Sequence, residues 1–371
     1  MKLLDLQLRH YRNYEDLEIQ FNPGVNIFIG ENAQGKTNLL EAIHVLALAR
    51  SHRTNHDREL IQWQAKTAML KGNVERFPGK LPLEIQINAT GKRVKVNHSF
   101  QQRLSSYIGN LNVVLFAPED LELVKGSPQL RRRFMDIEFG QMSSRYLYNI
   151  SQYHRQLKQR NQYLKQVKQA GKLDSVLLGV MSDQLIASGA QIIHTRYQLI
   201  QQLETWAQEL HQHISRQKET LTLKYVTQVT VNDQTTVEEI QSQLKTLLEK
   251  SQAREQMLGT TLVGPQRDDL QFLVNDQNVQ KFGSQGQQRT TALSVKLAEI
   301  ELMKAQTGEY PLLLLDDVLS ELDDNRQTHL LTAIQDKVQT LLTTTSLDGV
   351  AKQLIQDPSI FRISHGQVSK E

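Results

Sequence analysis

"VNIFIGENAQGKTNLLEAIHVL", Val25 to Leu46, decides the fold. Its first residues form a short apolar run that stops at Gly30, the pattern of a buried strand. Its last part sets Leu39, Ile43 and Leu46 at helical spacing. Between them, Gly30 to Thr37 fits G-x-x-x-x-G-K-[ST], in the strand-to-helix context that gives the motif its meaning. Glycines let the backbone curl so that N–H groups face phosphate oxygens, and the helix N-terminus adds partial positive charge. Gly30, Glu31, Asn32, Ala33, Gln34 and Gly35 are therefore predicted to wrap phosphates. Lys36 is predicted to reach the β- and γ-phosphates of ATP, and Thr37 to ligate Mg²⁺. The competing reading is a glycine-rich turn that binds nothing.

The natural partner of such a loop lies far along the chain. In "PLLLLDDVLSELDD", Pro311 to Asp324, four leucines read as a buried strand ending on acids. Ligands of α/β sheets bind beyond the carboxyl ends of the strands. Asp316 is then the second Mg²⁺ anchor, and Asp317 orients or deprotonates the attacking water. Two solvated acids at a strand end are the plainer alternative.

Composition bounds the rest. The chain has 371 residues, 39% hydrophobic and only 6% aromatic, enough for two units or one large one. The net charge of +3 is compatible with nucleic acid without arguing for it. The absence of cysteine excludes disulfides, thiolate catalysis and cysteine-based zinc sites, and fits a reducing compartment. "MKLLDLQLRHYRNYEDL" is broken by charges too early for a signal peptide. Apolar runs read as far shorter than the ~20 residues of a membrane helix. The expectation is a cytoplasmic protein with no membrane partner.

Along the chain, alternation at Leu4, Leu6 and Leu8 and again at Leu17, Ile19 and Phe21 predicts strands. "LPLEIQINATGKRVKVN" reads as a hairpin turning near Ala89–Gly91. From about Leu130 to Lys218 there is no proline, and Ile150, Leu157 and Leu164 repeat every seven residues. That predicts a helical hairpin with a short coiled-coil-like seam, interrupted at Lys168–Ser175. Thr236 with Glu239 is a capping box for a helix to about Met257. Strand character returns at "TTLVGPQRDDLQFLV" and "VQKFGS", then at "VQTLLTTTS". The fold class expected is α/β with a helical insertion. An ATPase head would take 1–118 and 258–371, with 282–304 at the lobe junction, and a mainly helical arm 119–257.

With "SQGQQR" before a helix and "SELD" after the acids, these motifs resemble ABC-type ATPase heads. In order they look like Walker A, the signature motif, Walker B and the D-loop. "LRHYRNYEDLEIQF" is similar to the opening of the SMC-like branch. "GENAQGKTNLLEAIHVLALARSHRT", "FAPEDLELVKGSPQLRRRFMD" and "GPQRDDL" resemble the RecF family of bacterial recombination mediators across nearly the whole chain. The resemblance implies a two-lobed, SMC-like P-loop head with a short helical arm. It implies ATP sandwiched in a head-to-tail homodimer, and ATP-dependent binding of DNA at single-strand gaps. It implies help in loading recombinase with RecR and RecO, support of SOS induction, and weak DNA-stimulated ATP hydrolysis. Arg12 and Asn13 match the segment that lies near the nucleotide. Ser284, Gly286 and Gln287 match the signature that meets the γ-phosphate of the partner copy.

The chain departs from the wider pattern in four places. Gln285 stands where transporters have Gly, and Asp317 where a catalytic Glu is usual. "TTTS" (Thr343–Ser346) carries no switch histidine, and Glu119 or Asp120 must stand in for the Q-loop Gln. Each points to slow hydrolysis. The alternatives are an ATPase subunit of a membrane transporter and a nucleotide-bound scaffold that does not hydrolyse. Cation clusters at Arg50–Arg53, Lys92–Lys95 and Arg131–Arg133, with Lys158, Arg160, Lys165 and Lys168 on the arm, offer a phosphate track. Arg53, Arg93, Lys95, Arg131 and Arg132 are the DNA candidates among them. No motif reads bases, so little sequence specificity is expected.

Overall fold

The computed structural model describes residues 1–346, 355 and 357–371. Its contacts divide the chain into two compact units. The first comprises Met1–Leu121, Leu210–Lys218 and Ala292–Glu371; the second comprises Glu122–Glu209 and Glu219–Thr291.

The first unit opens with β1 (Lys2–Leu3), β2 (Asp5–Tyr11), β3 (Tyr14–Gln20) and β4 (Val25–Ile29), followed by α1 (Lys36–Leu48). Then come β5 (Thr67–Arg76), β6 (Gly79–Asn88), β7 (Gly91–Val96), β8 (Ser99–Gln101) and β9 (Val113–Phe116). Most of these pair antiparallel in the order β3-β2-β5-β6-β7-β8, with β1 also on β5. Leu6, Leu8, Leu70 and Ile85 alternate inward, as a one-sided sheet requires.

The second unit holds most of α2 (Leu121–Lys125), then α3 (Pro128–Met142), α4 (Ser144–Ala170) and all but the last five residues of α5 (Ser175–Ile214), which belong to the first unit. It continues with β10 (Leu221–Val226), α6 (Val237–Leu258), β11 (Asp269–Val274), β12 (Gln277–Asn278) and α7 (Val279–Phe282). α8 (Gln285–Thr307) begins in this unit and ends in the first. The helical hairpin breaks where expected, and Thr236 and Glu239 form the reciprocal cap of α6. One 18-residue window of α5 reaches a mean hydropathy of 1.4, enough on composition to cross a membrane. Ile186, Ala190 and Ile193 of α5 are buried with Ile240, Leu244 and Leu248 of α6, so one face of the helix is a core seam.

Two expectations change. Residues 258–291 group with the second unit, because β11 pairs with β10 along its whole length, while Leu210–Lys218, expected in the arm, group with the first. "VQKFGS" is the short helix α7, since the Asn278 side chain accepts from the Lys281 N–H and caps a helix start.

The first unit is completed by β13 (Leu312–Asp316), α9 (Asp324–Ile334), β14 (Thr340–Thr344), β15 (Ser359–Ser364) and β16 (Gln367–Lys370). The second sheet runs β16-β15-β4-β14-β13-β9, parallel except for β16. Leu312–Leu315, Leu341, Leu342, Ile27 and Phe28 form its buried body, the near-continuous apolar run of a sheet covered on both faces.

Candidate functional site

The loop Gly30–Thr37 connects the end of β4 to the start of α1. Two glycines fix its course. A side chain on Gly30 would collide with the Ile363 carbonyl of the neighbouring β15. Gly35 has φ +120°, where L-residues are strained, and its face lies against Asn13 and Tyr14. Ala33 also has positive φ, at 66°. Alternating handedness of this kind turns successive N–H groups into one concavity, an anion nest. Among the described residues, no protein acceptor takes the N–H of Gly35, Lys36 or Thr37. α1 carries no acid in its first turn, so its positive end is left to the loop. Lys36 is buried, and its ammonium donates to the Gly30 and Glu31 carbonyls. Burial pushes its pKa down, opposed by Asp317 and Asp316.

The acids stand at the carboxyl end of β13, as the leucine run implies. β14 lies between β4 and β13, in register Asp316↔Thr343 and Thr343↔Phe28. The two motif strands are thus not neighbours, and the intervening strand supplies the bridge. Thr37 Oγ1 donates to Asp316 Oδ1 at 3.0 Å, and Thr343 Oγ1 donates to the same oxygen at 2.8 Å. Thr343 Oγ1 also accepts from the Asp317 N–H at 3.0 Å. Burial raises the Asp316 pKa, against the hydrogen bonds from Thr343 and Thr37. Two oxygens on adjacent vertices of an octahedron with ~2.1 Å bonds lie about 3.0 Å apart, so Thr37 and Asp316 fit Mg²⁺. Mg²⁺ commonly takes one or two carboxylates and completes its shell with phosphate and water, so the pair is a sufficient protein set.

Asp317 has φ +55°. Its Oδ1 is buried without a hydrogen-bond partner among the described residues. A non-glycine residue held there costs on the order of 1 kcal/mol, and such outliers cluster at functional sites. Ser320 Oγ donates to the Asp317 carbonyl at 2.8 Å, and Asp323 caps α9.

A second network braces the loop. Glu41 on α1 is fully buried and accepts both Arg12 Nε and Arg12 Nη2 at 2.8 Å. Ser51 Oγ donates to Glu41 at 2.6 Å, and Arg53 lies 3.7 Å away. Burial works against the Glu41 charge, yet Arg12 and Ser51 hold its pKa below the usual range. Arg12 Nη1 donates to the Glu59 carbonyl. The guanidinium predicted to lie near nucleotide is therefore spent on Glu41 and Glu59, a bracing role. Asn13 reaches the Gln34 carbonyl at 3.2 Å and accepts from Asn38 at 2.8 Å.

Of the two Q-loop substitutes, Asp120 is consumed in accepting the Ala117 N–H at 2.7 Å. Glu119 is exposed, and its charge acts on Asp316 and His52. His52 sits edge-on to His44 with ring centroids 5.1 Å apart, and its buried Nδ1 has no partner among the described residues. Burial lowers its pKa, and pushes that of His44 down to about 3. Sequence reasoning missed Glu41, Ser51 and Thr343. A Ser three residues beyond the end of α1, or a Thr in a buried strand, carries no local signal.

The signature residues lie in the second unit. Ser284 Oγ accepts from the Gln287 N–H at 3.2 Å, and Gln287 Oε1 accepts from the Ser284 N–H at 2.9 Å. This reciprocal cap starts α8. Gln287 Nε2 donates to Glu219 at 2.9 Å. Ser284 is exposed, and its hydroxyl proton is not used by that cap.

The cation candidates divide. Arg131 is 2% exposed, clamped to Asp269 at 2.7 and 3.0 Å and to the Gly126 carbonyl, and cannot also grip DNA. Arg132 donates to the Asp268 carbonyl at 2.7 Å. Arg160, expected to decorate the arm, is 1% exposed and bound to Glu255 at 2.7 Å and Thr261 at 2.8 Å. Arg53 donates to Asn38 at 2.9 Å beside the loop. Lys95 pairs with Glu84 at 3.0 Å and covers the Phe100 ring. Arg93 is exposed and has no ion-pair partner among the described residues.

Comparison with known proteins agrees with this geometry. Residues 1–355 match the family model described as an AAA ATPase domain. The DNA replication and repair protein RecF of Limosilactobacillus fermentum is 66% identical, with each chain covered completely. The proteins of the same name from Latilactobacillus sakei and Enterococcus faecalis are 64% and 54% identical, each over this whole chain and 99% of their own. A solved structure of the recombination mediator protein RecF with ATP, in the RecFOR pathway, superposes with a TM-score of 0.92 at 34% identity, covering 100% of this chain and 97% of that one. An Smc head bound to the C-terminal winged-helix domain of ScpA superposes at 0.56 with 14% identity, covering 100% of this chain and 97% of that one, and shares the fold alone.

Proposed function

The chain belongs to the RecF family of DNA replication and repair proteins, and from that footing we propose an ATP-controlled, DNA-binding recombination mediator. The single observation that carries the reading is the Thr37–Asp316–Thr343 hydrogen-bonded chain beside the phosphate loop. Gly30 to Lys36 hold the phosphates, and Thr37 with Asp316 hold Mg²⁺, which neutralises phosphate charge as the γ-group leaves. Asp317 orients the attacking water, one methylene shorter than the usual Glu, so turnover is slow. Ser284, Gly286 and Gln287 of one copy cap the γ-phosphate held by the other. ATP thus favours a closed homodimer, and hydrolysis reopens it. Arg93 and Lys95 contribute to a sequence-tolerant phosphate track on DNA, with single-strand gaps as the target. RecR and RecO are the partners in loading recombinase, with support of the SOS response, in the cytoplasm.

Sedimentation with ATP, ADP or no nucleotide, each with and without gapped duplex, tests this. ATP with Mg²⁺ should produce a dimer and raise DNA affinity; a monomer throughout with unchanged DNA affinity refutes it. Ser284→Arg should keep ATP binding but lose dimer and turnover; a retained dimer contradicts the assignment across two copies. The strained, unpartnered Asp317 also suits a nucleotide-bound scaffold. Turnover that disappears in Asp317→Asn excludes that second reading.

A further inference from the structure

We infer that Asn13, in the turn between β2 and β3, and Tyr14, at the start of β3, together with the turn His365–Gly366 between β15 and β16, aim the loop's N–H groups at phosphate. This inference rests on the nucleotide-binding reading above and extends it to residues outside the motif. In a trans peptide the C=O and N–H point in opposite directions, so whatever fixes the carbonyl also fixes the amide. The Gln34 carbonyl accepts from Asn13 Nδ2 at 3.2 Å and from the Gly366 N–H at 3.1 Å. The Gly35 N–H, in the same peptide plane, therefore points the opposite way, into the loop. The Gly35 carbonyl accepts from Tyr14 OH at 2.9 Å and from the Leu39 N–H at 3.0 Å. The Lys36 N–H is turned inward by the same rule. Gln34 Oε1 accepts from the His365 N–H at 2.7 Å, which ties the turn to the loop a second time.

These are positioning residues: they touch the loop's carbonyls, while the opposite side of each peptide faces the ligand. The C-terminal hairpin β15–β16 is then part of the nucleotide site. It reaches the loop from a part of the sequence more than 300 residues away. Nucleotide binding and hairpin order are coupled, because each stabilises the same peptide orientation.

The test uses the full chain with ADP and Mg²⁺, reading affinity by titration and hairpin order by amide hydrogen exchange. ADP should slow exchange over residues 363–368. Tyr14→Phe and Asn13→Ala should each weaken ADP binding roughly fivefold, the size of one neutral hydrogen bond. Both should also reduce the ADP-induced protection at 363–368. Asn13 is exposed, so its variant folds even if the buried Tyr14 variant does not. Wild-type ADP affinity in Asn13→Ala, or no ADP effect on exchange at 363–368, overturns the inference. A wild-type chain that binds neither ADP nor ATP would instead sink the nucleotide reading itself.

Discussion

Thr343→Val isolates the bridge between the two motif strands. Valine keeps the β-branched shape that the buried strand β14 requires, and deletes only the hydroxyl. That hydroxyl donates to Asp316 at 2.8 Å and accepts from the Asp317 N–H at 3.0 Å. Deletion leaves the Asp317 N–H without its acceptor, which costs the fold about 1–3 kcal/mol. It also removes one of the two threonine donors on the Asp316 carboxylate. A hydrogen bond to a charged group contributes about 1.5–3 kcal/mol. If that is felt at the metal, Mg²⁺-dependent nucleotide affinity falls roughly 10- to 150-fold, at about 1.4 kcal/mol per tenfold. Calorimetric titration with a slowly hydrolysed ATP analogue, with Mg²⁺ and with chelator, reads both arms. The loss should appear with Mg²⁺ and shrink towards nothing with chelator. Equal losses in both arms, or none in either, would refute the placement of Thr343 as a support of the metal carboxylate.

Further outcomes follow from the same geometry. Asp316→Asn should stabilise the unliganded chain to urea at pH 7 while abolishing Mg²⁺-dependent stabilisation by nucleotide. Burial raises the Asp316 pKa, so its favourable state is the protonated one, present at low pH and lost as pH rises through the raised value. Glu41→Gln should cost about 1–3 kcal/mol at pH 7, since it removes the carboxylate from the partly buried Arg12, which keeps the Glu59 carbonyl. Because the Glu41 pKa is depressed, that cost should shrink as pH falls through the depressed value, measured by urea midpoints across pH. Arg160→Met should lower urea stability by about 3–5 kcal/mol, and adding Glu255→Met should recover part of it; no recovery would deny the pairing. Gly30→Ala should lower the melting temperature and weaken nucleotide binding, since its new methyl meets the Ile363 carbonyl.

The sequence made some features legible and hid others, for physical reasons. Gly30–Thr37 and Leu312–Asp316 could be read because a loop between strand and helix, and a strand ending on acids, are local patterns. The reciprocal Thr236–Glu239 cap was visible for the same cause. Whether Arg131 and Arg160 face DNA or serve the structure cannot be read locally, because their partners Asp269 and Glu255 lie 138 and 95 residues away. A helical face that buries an arginine looks polar until the acid across from it is known. Arg12 was placed near nucleotide by resemblance, and only the structure reveals the buried Glu41 that claims it. The C-terminal hairpin left a signal that could have been read: "RISHGQVSK" places a two-residue His-Gly turn between alternating arms.

The position of β4 between β14 and β15 has a consequence for synthesis. The phosphate-loop strand leaves the ribosome well before either of its neighbours, β14 and β15. Until residues 340–364 emerge, Ile27 and Phe28 have no sheet to be buried in, and both edges of β4 present unpaired backbone groups. The second unit, Glu122–Glu209 with Glu219–Thr291, is fully translated before then and can fold first. A nascent chain stalled before β14 therefore carries an unfinished nucleotide site beside a finished arm. Chaperone dependence and proteolytic loss should concentrate in that interval of translation.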